Sequence, residues 1–113
     1  MQEPFSNFAE VRFIDRDRIV EDLRRAVAEA KLAHPEIARV LLFGSLAQGN
    51  WTADSDADLI VVARREFAGI PERSRYQIHV DSIETDTLVY SETEFERLKR
   101  GPLAEDLRFA EEL

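Results

Sequence analysis

The chain has 113 residues and a mass of 13.0 kDa, which sets the expectation of one domain over residues 1–113 built on one sizeable core. Apolar residues make up 44% and charged residues 34%, a globular balance that leaves out disordered and fibrous classes. With no cysteine, disulfide frameworks, zinc–thiolate sites and thiol nucleophiles are excluded, and a net charge of −8, from 15 basic and 23 acidic residues, argues against a passive nucleic-acid binder or a protein that docks on anionic membranes.

The start, Met1-Gln-Glu-Pro-Phe5, has no cationic segment followed by an apolar one, so no signal peptide is expected and the cytoplasm is the default compartment. Apolar runs such as Val40 to Phe43 are far too short to span a bilayer. Residues 1–9 carry little pattern and read as loose. Glu10 to Ile14 alternates briefly and predicts an edge strand. From Asp15, apolar residues recur at helical spacing (Ile19, Leu23, Ala26/Val27, Ala30, Ala33), which predicts an amphipathic helix over 15–33. Pro35 disfavours helical geometry at His34 and ends it. Arg39 to Gly44 and Ala57 to Ala63 read as strands buried on both faces, and Thr85 to Tyr90 as a third.

Residues 64–83 are ambiguous: Tyr76, Ile78 and Val80 alternate like a strand, while Pro71 suits a first helical turn, and a helix is the favoured reading. Ser91-Glu-Thr-Glu94 has the form of a capping box, with Tyr90 and Phe95 placed as a hydrophobic staple. Gly101 and Pro102 stop that helix, and Leu103, Leu107 and Ala110 predict a last helix to the C-terminus. These elements make an α/β domain, a short mixed sheet flanked by helices.

The chemistry concentrates between Leu42 and Val62. Asp56 and Asp58 stand two apart at the mouth of a predicted strand, so their carboxylates share a face. Two such charges side by side are costly without a cation, and hard oxygens suit Mg²⁺. Gly44 and Ser45 follow a strand and open a short turn whose backbone amides can cradle phosphate. A P-loop is ruled out, because Asn50-Trp51 stands where Lys and Ser/Thr are needed. An EF-hand is ruled out by Leu59 and Arg65 in place of its Gly and Glu. Trp51 could stack on a base or simply pack. Arg64, Arg65, His34 and His79 read as surface groups, and Glu84 as a partner for a salt pair.

What remains is Gly44-Ser45, ten residues, then Asp56-Ala57-Asp58. This resembles the signature of the DNA-polymerase-β-like nucleotidyltransferase superfamily, and Phe-Gly-Ser-Leu-Ala with Ser-Asp-Ala-Asp-Leu-Ile-Val-Val resembles its minimal branch. The likeness covers about residues 10–100, with a motif core at about 38–90, and extends to Asp86, which matches the family's third carboxylate. The chain departs from the branch at Gln48, where Ala-Arg-Gly is common. The resemblance implies a minimal polymerase-β-like fold and a Mg²⁺-dependent, two-metal nucleotidyltransferase with ATP as substrate. Asp56, Asp58 and Asp86 would be catalytic and metal-holding residues, and Gly44 and Ser45 would bind the nucleotide. It further implies an antitoxin that transfers AMP to a tyrosine of a HEPN-type ribonuclease toxin. Two alternatives stay open: transfer to a small hydroxylated molecule, and a catalytically weak binding module that neutralises its partner by contact.

Overall fold

A computed structural model describes residues 4–52 and 54–113, with side chains from Arg16 onward. The first helix, α1 (Pro4–Ala33), begins well before Asp15 and takes in Glu10–Ile14, so neither the loose start over residues 4–9 nor the edge strand exists. The alternation of Val11 and Phe13 was too short to separate the two periods. Phe5, Ala9 and Phe13 recur every fourth residue, and Pro4 suits a first helical turn. Along the second half of α1, Ile19, Leu23 and Val27 are buried. The His34 amide still bonds the Ala30 carbonyl (2.8 Å) before Pro35 ends the helix.

Among the described residues the sheet has four strands: β1 (Ile37–Phe43), β2 (Ala57–Ala63), β3 (Thr85–Ser91) and β4 (Glu111–Glu112), in the order β3-β2-β1-β4. β2 pairs antiparallel with β1 and parallel with β3, while β4 lies antiparallel on the far edge of β1. The mixed α/β architecture expected from the sequence is therefore present. The two inner strands feed two cores. Val40, Leu42, Leu59 and Val61 pack with Leu23 and Val27 of α1 on one face; Leu41, Ile60 and Val62 pack with Phe95 and Leu103 on the other. That two-sided burial is why both strands read as continuous apolar runs. Among the described residues no helix is long and apolar enough to cross a membrane.

Two expected helices are corrected. Between β2 and β3 only α3 (Ile70–Arg73), with Pro71 in its first turn, and one 3-10 turn (Ser74–Tyr76) are helical. Beyond them Tyr76 and Ile78 insert into the first core, and Val80 bridges to Ile83. The alternation there reported burial rather than a regular element. The Tyr76 hydroxyl donates to Glu36 and accepts from Arg65, which also pairs with Glu72. The segment also closes the outer edge of β3. Arg73 Nη1 donates to the Val89 carbonyl (2.7 Å) and Gln77 Nε2 to the Thr87 carbonyl (3.2 Å).

At the C-terminus, the expected helix is a run of turns, a 3-10 segment (Asp106–Phe109) and β4. Leu103, Leu107 and Ala110 do line the second core. The chain then extends to cover β1, with the Leu113 amide on the Val40 carbonyl (2.9 Å). Gly101 is not in the left-handed region; α4 (Glu92–Lys99) ends on Arg100 with φ −90°.

The start of α4 is as expected. Ser91 Oγ accepts from the Glu94 amide (3.1 Å) and Glu94 Oε1 from the Ser91 amide (2.9 Å). Arg73 grips the same carboxylate with two bonds of 2.8 Å, and this pairing, aided by the Ser91 amide, lowers the Glu94 pKa from 4.5 to about 2. A depressed carboxylate stabilises the fold above its unfolded pKa and loses that contribution as pH falls toward the folded one. Melts of Glu94→Gln between pH 4.5 and 2 should therefore fall less steeply than those of the parent. Equal slopes would show that Arg73 and Glu94 are not coupled in solution. Ser91→Ala should cost about 1 kcal/mol at neutral pH.

Candidate active site

Antiparallel pairing sets the end of β1 beside the start of β2, with Phe43 opposite Asp58. Parallel pairing then sets Asp58 opposite Asp86 on β3. The turn after β1 and two carboxylates from different strands thus meet at one end of the sheet, where β1 finishes and β2 and β3 begin. The Ala57 amide bonds the Glu84 carbonyl (2.9 Å) and locks this register. Glu84 itself lies before β3 and makes no salt pair among the described residues, contrary to expectation.

Asp58 is partly buried, whereas Asp56 and Asp86 are exposed. Burial first, then the charges of Asp86, Asp56 and Asp106, push the Asp58 carboxyl above its ordinary 3.8. Asp56 lies just ahead of β2, in a loop folded by the Thr52 amide on Ser55 Oγ (2.9 Å) and the Ser55 amide on the Thr52 carbonyl (3.0 Å). Among the described residues, no three acidic or imidazole side chains stand close enough to hold an ion as they are. The three aspartates thus share one region without forming a closed ligand set.

Gly44 opens α2 (Gly44–Gln48) at φ 76°, a region costly for other residues, and a Cβ there would run into Asp58 Oδ2. Its lack of a side chain lets the turn close over the carboxylate. The N-cap of α2 is Phe43, whose apolar side chain makes no capping bond to the first-turn amides near Gly44 and Ser45. Leu46 is sunk in the core, and Gly49 (φ 86°) ends the helix by donating its amide to the Ser45 carbonyl (3.0 Å). Arg16 reaches across from α1 to the Leu46 carbonyl with Nε (3.3 Å) and Nη2 (2.9 Å).

Residues 20–112 match the family described as Nucleotidyltransferase domain. The chain belongs to this family. The nucleotidyltransferase match includes Gly44, Ser45, Asp56, Asp58 and Asp86. A crystal structure of a Sulfolobus solfataricus protein described as a "putative nucleotidyltransferase" superposes with a TM-score of 0.62 at 24% identity. It covers 75% of this chain and 78% of that one, a likeness of fold. No curated protein sequence matches. The chain therefore has the polymerase-β-like nucleotidyltransferase fold, and its class of chemistry is nucleotidyl transfer.

Two features of this candidate site were not foreseen. Asp106 was expected on a terminal helix; the 3-10 segment instead brings its charge within reach of Asp58. No local motif around Asp106 signals this. Arg16 was hidden in the polar face of α1. Of the remaining candidates, Trp51 is partly buried and packs on the first core. Arg65 is engaged with Tyr76 and Glu72, and the half-exposed His34 ring lies 5.0 Å from that of Tyr76.

Proposed function

We propose that the chain transfers AMP from ATP, with Mg²⁺, to a protein hydroxyl, a tyrosine of a HEPN-type ribonuclease toxin, and so serves as an antitoxin in the cytoplasm. The observation that carries the reading is the register Asp58–Asp86 beside the Gly44 turn, which brings two carboxylates and a turn of backbone amides together. The donors fit a hard divalent cation in kind, since all three are carboxylates and Asp58 is penalised by burial and like charge, a cost that a cation offsets. Asp56, Asp58 and Asp86 would hold it, and when bound it supplies charge stabilisation at the attacking and leaving oxygens. The amides of Gly44 and Ser45 would hold the triphosphate. Asp86 would take the proton of the attacking hydroxyl as its oxygen bonds to the α-phosphorus; the bond to the β-phosphate bridge breaks and pyrophosphate leaves.

The test is incubation of the chain with α-labelled ATP, Mg²⁺ and the product of the adjoining gene. Label on a tyrosine of that product supports the reading. Label on a small hydroxylated molecule favours that alternative. Inhibition of the partner by Asp58→Asn without added mass favours the binding module. Asp86→Asn should keep most of the ATP affinity and lose transfer; a parallel loss of affinity would count against its assignment to the acceptor side. A ribonuclease must attract phosphates, and this chain carries a net charge of −8, so association should slow as salt rises. A salt-independent on-rate would argue against a basic partner.

A further inference from the structure

We infer that Arg16 is a positioning residue that holds the phosphate-binding turn in place from α1; the inference rests on the nucleotidyl-transfer reading above. α2 has five residues, too few to be stable alone. Its last carbonyls have no partner within the helix. The Gly49 amide serves Ser45, and the carbonyl of the next residue, Leu46, is served by Arg16 across 30 positions of chain. Two N–H groups of one planar guanidinium meet that single oxygen, at 3.3 and 2.9 Å, which fixes direction as well as distance.

Both ends of this link are anchored. Arg16 sits one turn before Ile19, and Ile19, Leu23 and Val27 seat α1 on the sheet, while the Leu46 side chain is fully buried in the same core. α2 carries no basic residue in its last turn, so Arg16 also places a cation at the negative end of a short helix. Gly44 and Ser45 lie within one turn of Leu46. A tilt of α2 about the buried Leu46 side chain therefore re-aims the Gly44 and Ser45 amides, and the Arg16 link opposes that tilt. Arg16 acts through Leu46 and need not touch the nucleotide.

The test compares the parent with Arg16→Ala, Arg16→Lys and, as a control on the same helix, Arg24→Ala, which removes one exposed 3.5 Å contact to the Glu112 carbonyl. Calorimetric titration with ATP and Mg²⁺ reads affinity, and hydrogen exchange reads the amides of residues 44–50. Arg16→Ala should weaken ATP by about tenfold, the scale of a small misplacement of a binding group, and speed exchange in α2. Arg16→Lys keeps the charge and one donor, stays folded and should fall between Arg16→Ala and the parent. Arg24→Ala should match the parent in both readouts. Faster exchange with unchanged ATP affinity would overturn the inference, leaving Arg16 a purely structural anchor. Unchanged exchange would overturn it as well. A parent that binds no nucleoside triphosphate would instead remove the transfer reading beneath it, while the exchange comparison would still report whether Arg16 holds α2.

Discussion

Asp58→Asn should lose nucleotidyl transfer by about 10³-fold, the scale of removing a group that offsets charge in the transition state, while remaining folded. The two effects separate because the side chain is neutralised without changing its size. The stability effect has the opposite sign. Asp58 has its folded pKa raised above the ordinary 3.8 by burial and by Asp86, Asp56 and Asp106. A raised carboxylate makes the fold progressively less stable as pH climbs from the unfolded value through the folded one. At neutral pH and without divalent cation, Asp58→Asn should therefore melt higher than the parent, and the gap should close as pH drops toward 3.8. Adding Mg²⁺ with ATP should raise the parent melting point and leave the variant almost unmoved. A variant that melts lower at neutral pH, or shifts equally with ATP and Mg²⁺, would count against the site.

Gly44→Ala should be the most damaging small substitution in the chain. The backbone at φ 76° costs about 1–2 kcal/mol for any side chain, and the added methyl runs into Asp58 Oδ2. With overpacking of about 1–3 kcal/mol more, a total near 3 kcal/mol is expected by urea denaturation, with loss of ATP binding. Gly49→Ala is the matched comparison. Its φ of 86° carries a similar backbone penalty, but a Cβ there meets nothing within 4 Å. Only the backbone share should be lost. In a double-mutant cycle, Asp58→Ala should relieve part of the Gly44→Ala cost, with a coupling of about 1 kcal/mol. Additive costs would show that the two residues do not touch.

Much of this is legible in the sequence. β2, Ala57–Ala63, is legible because Leu59–Ala63 is a continuous apolar run between Asp58 and Arg64, as a strand buried on both faces requires. The capping box at Ser91 and Glu94 was legible because both partners lie within one turn. Gly44-Ser45 with Asp56 and Asp58 is legible as a motif and Asp86 as a resemblance, and the register shows that Gly44, Asp58 and Asp86 stand side by side. The failures have two physical causes: a short period that fits both strand and helix at the start of α1, and tertiary contact elsewhere. α1 reaches Pro4 although its first turns carry only a weak apolar period. The C-terminal segment has an apolar spacing that fits a helix, yet covering the edge of β1 wins over a last helix through Leu103, Leu107 and Ala110. Asp106 and Arg16 reach the site only through folding, so nothing near them in the chain signals it.

The sealing of β3 has a consequence for how the protein behaves in a crowded solution. A sheet normally ends in a row of open amides and carbonyls that invites another chain to add on. Here the outward carbonyls of Thr87 and Val89 are already occupied by Gln77 and Arg73, and the Ser91 amide by Glu94. The ion pair that caps α4 is thus also a guard against strand-to-strand growth. Arg73→Ala would open part of that edge, and its cost would be read less in the melting point than in a tendency to form strand-rich aggregates at high concentration.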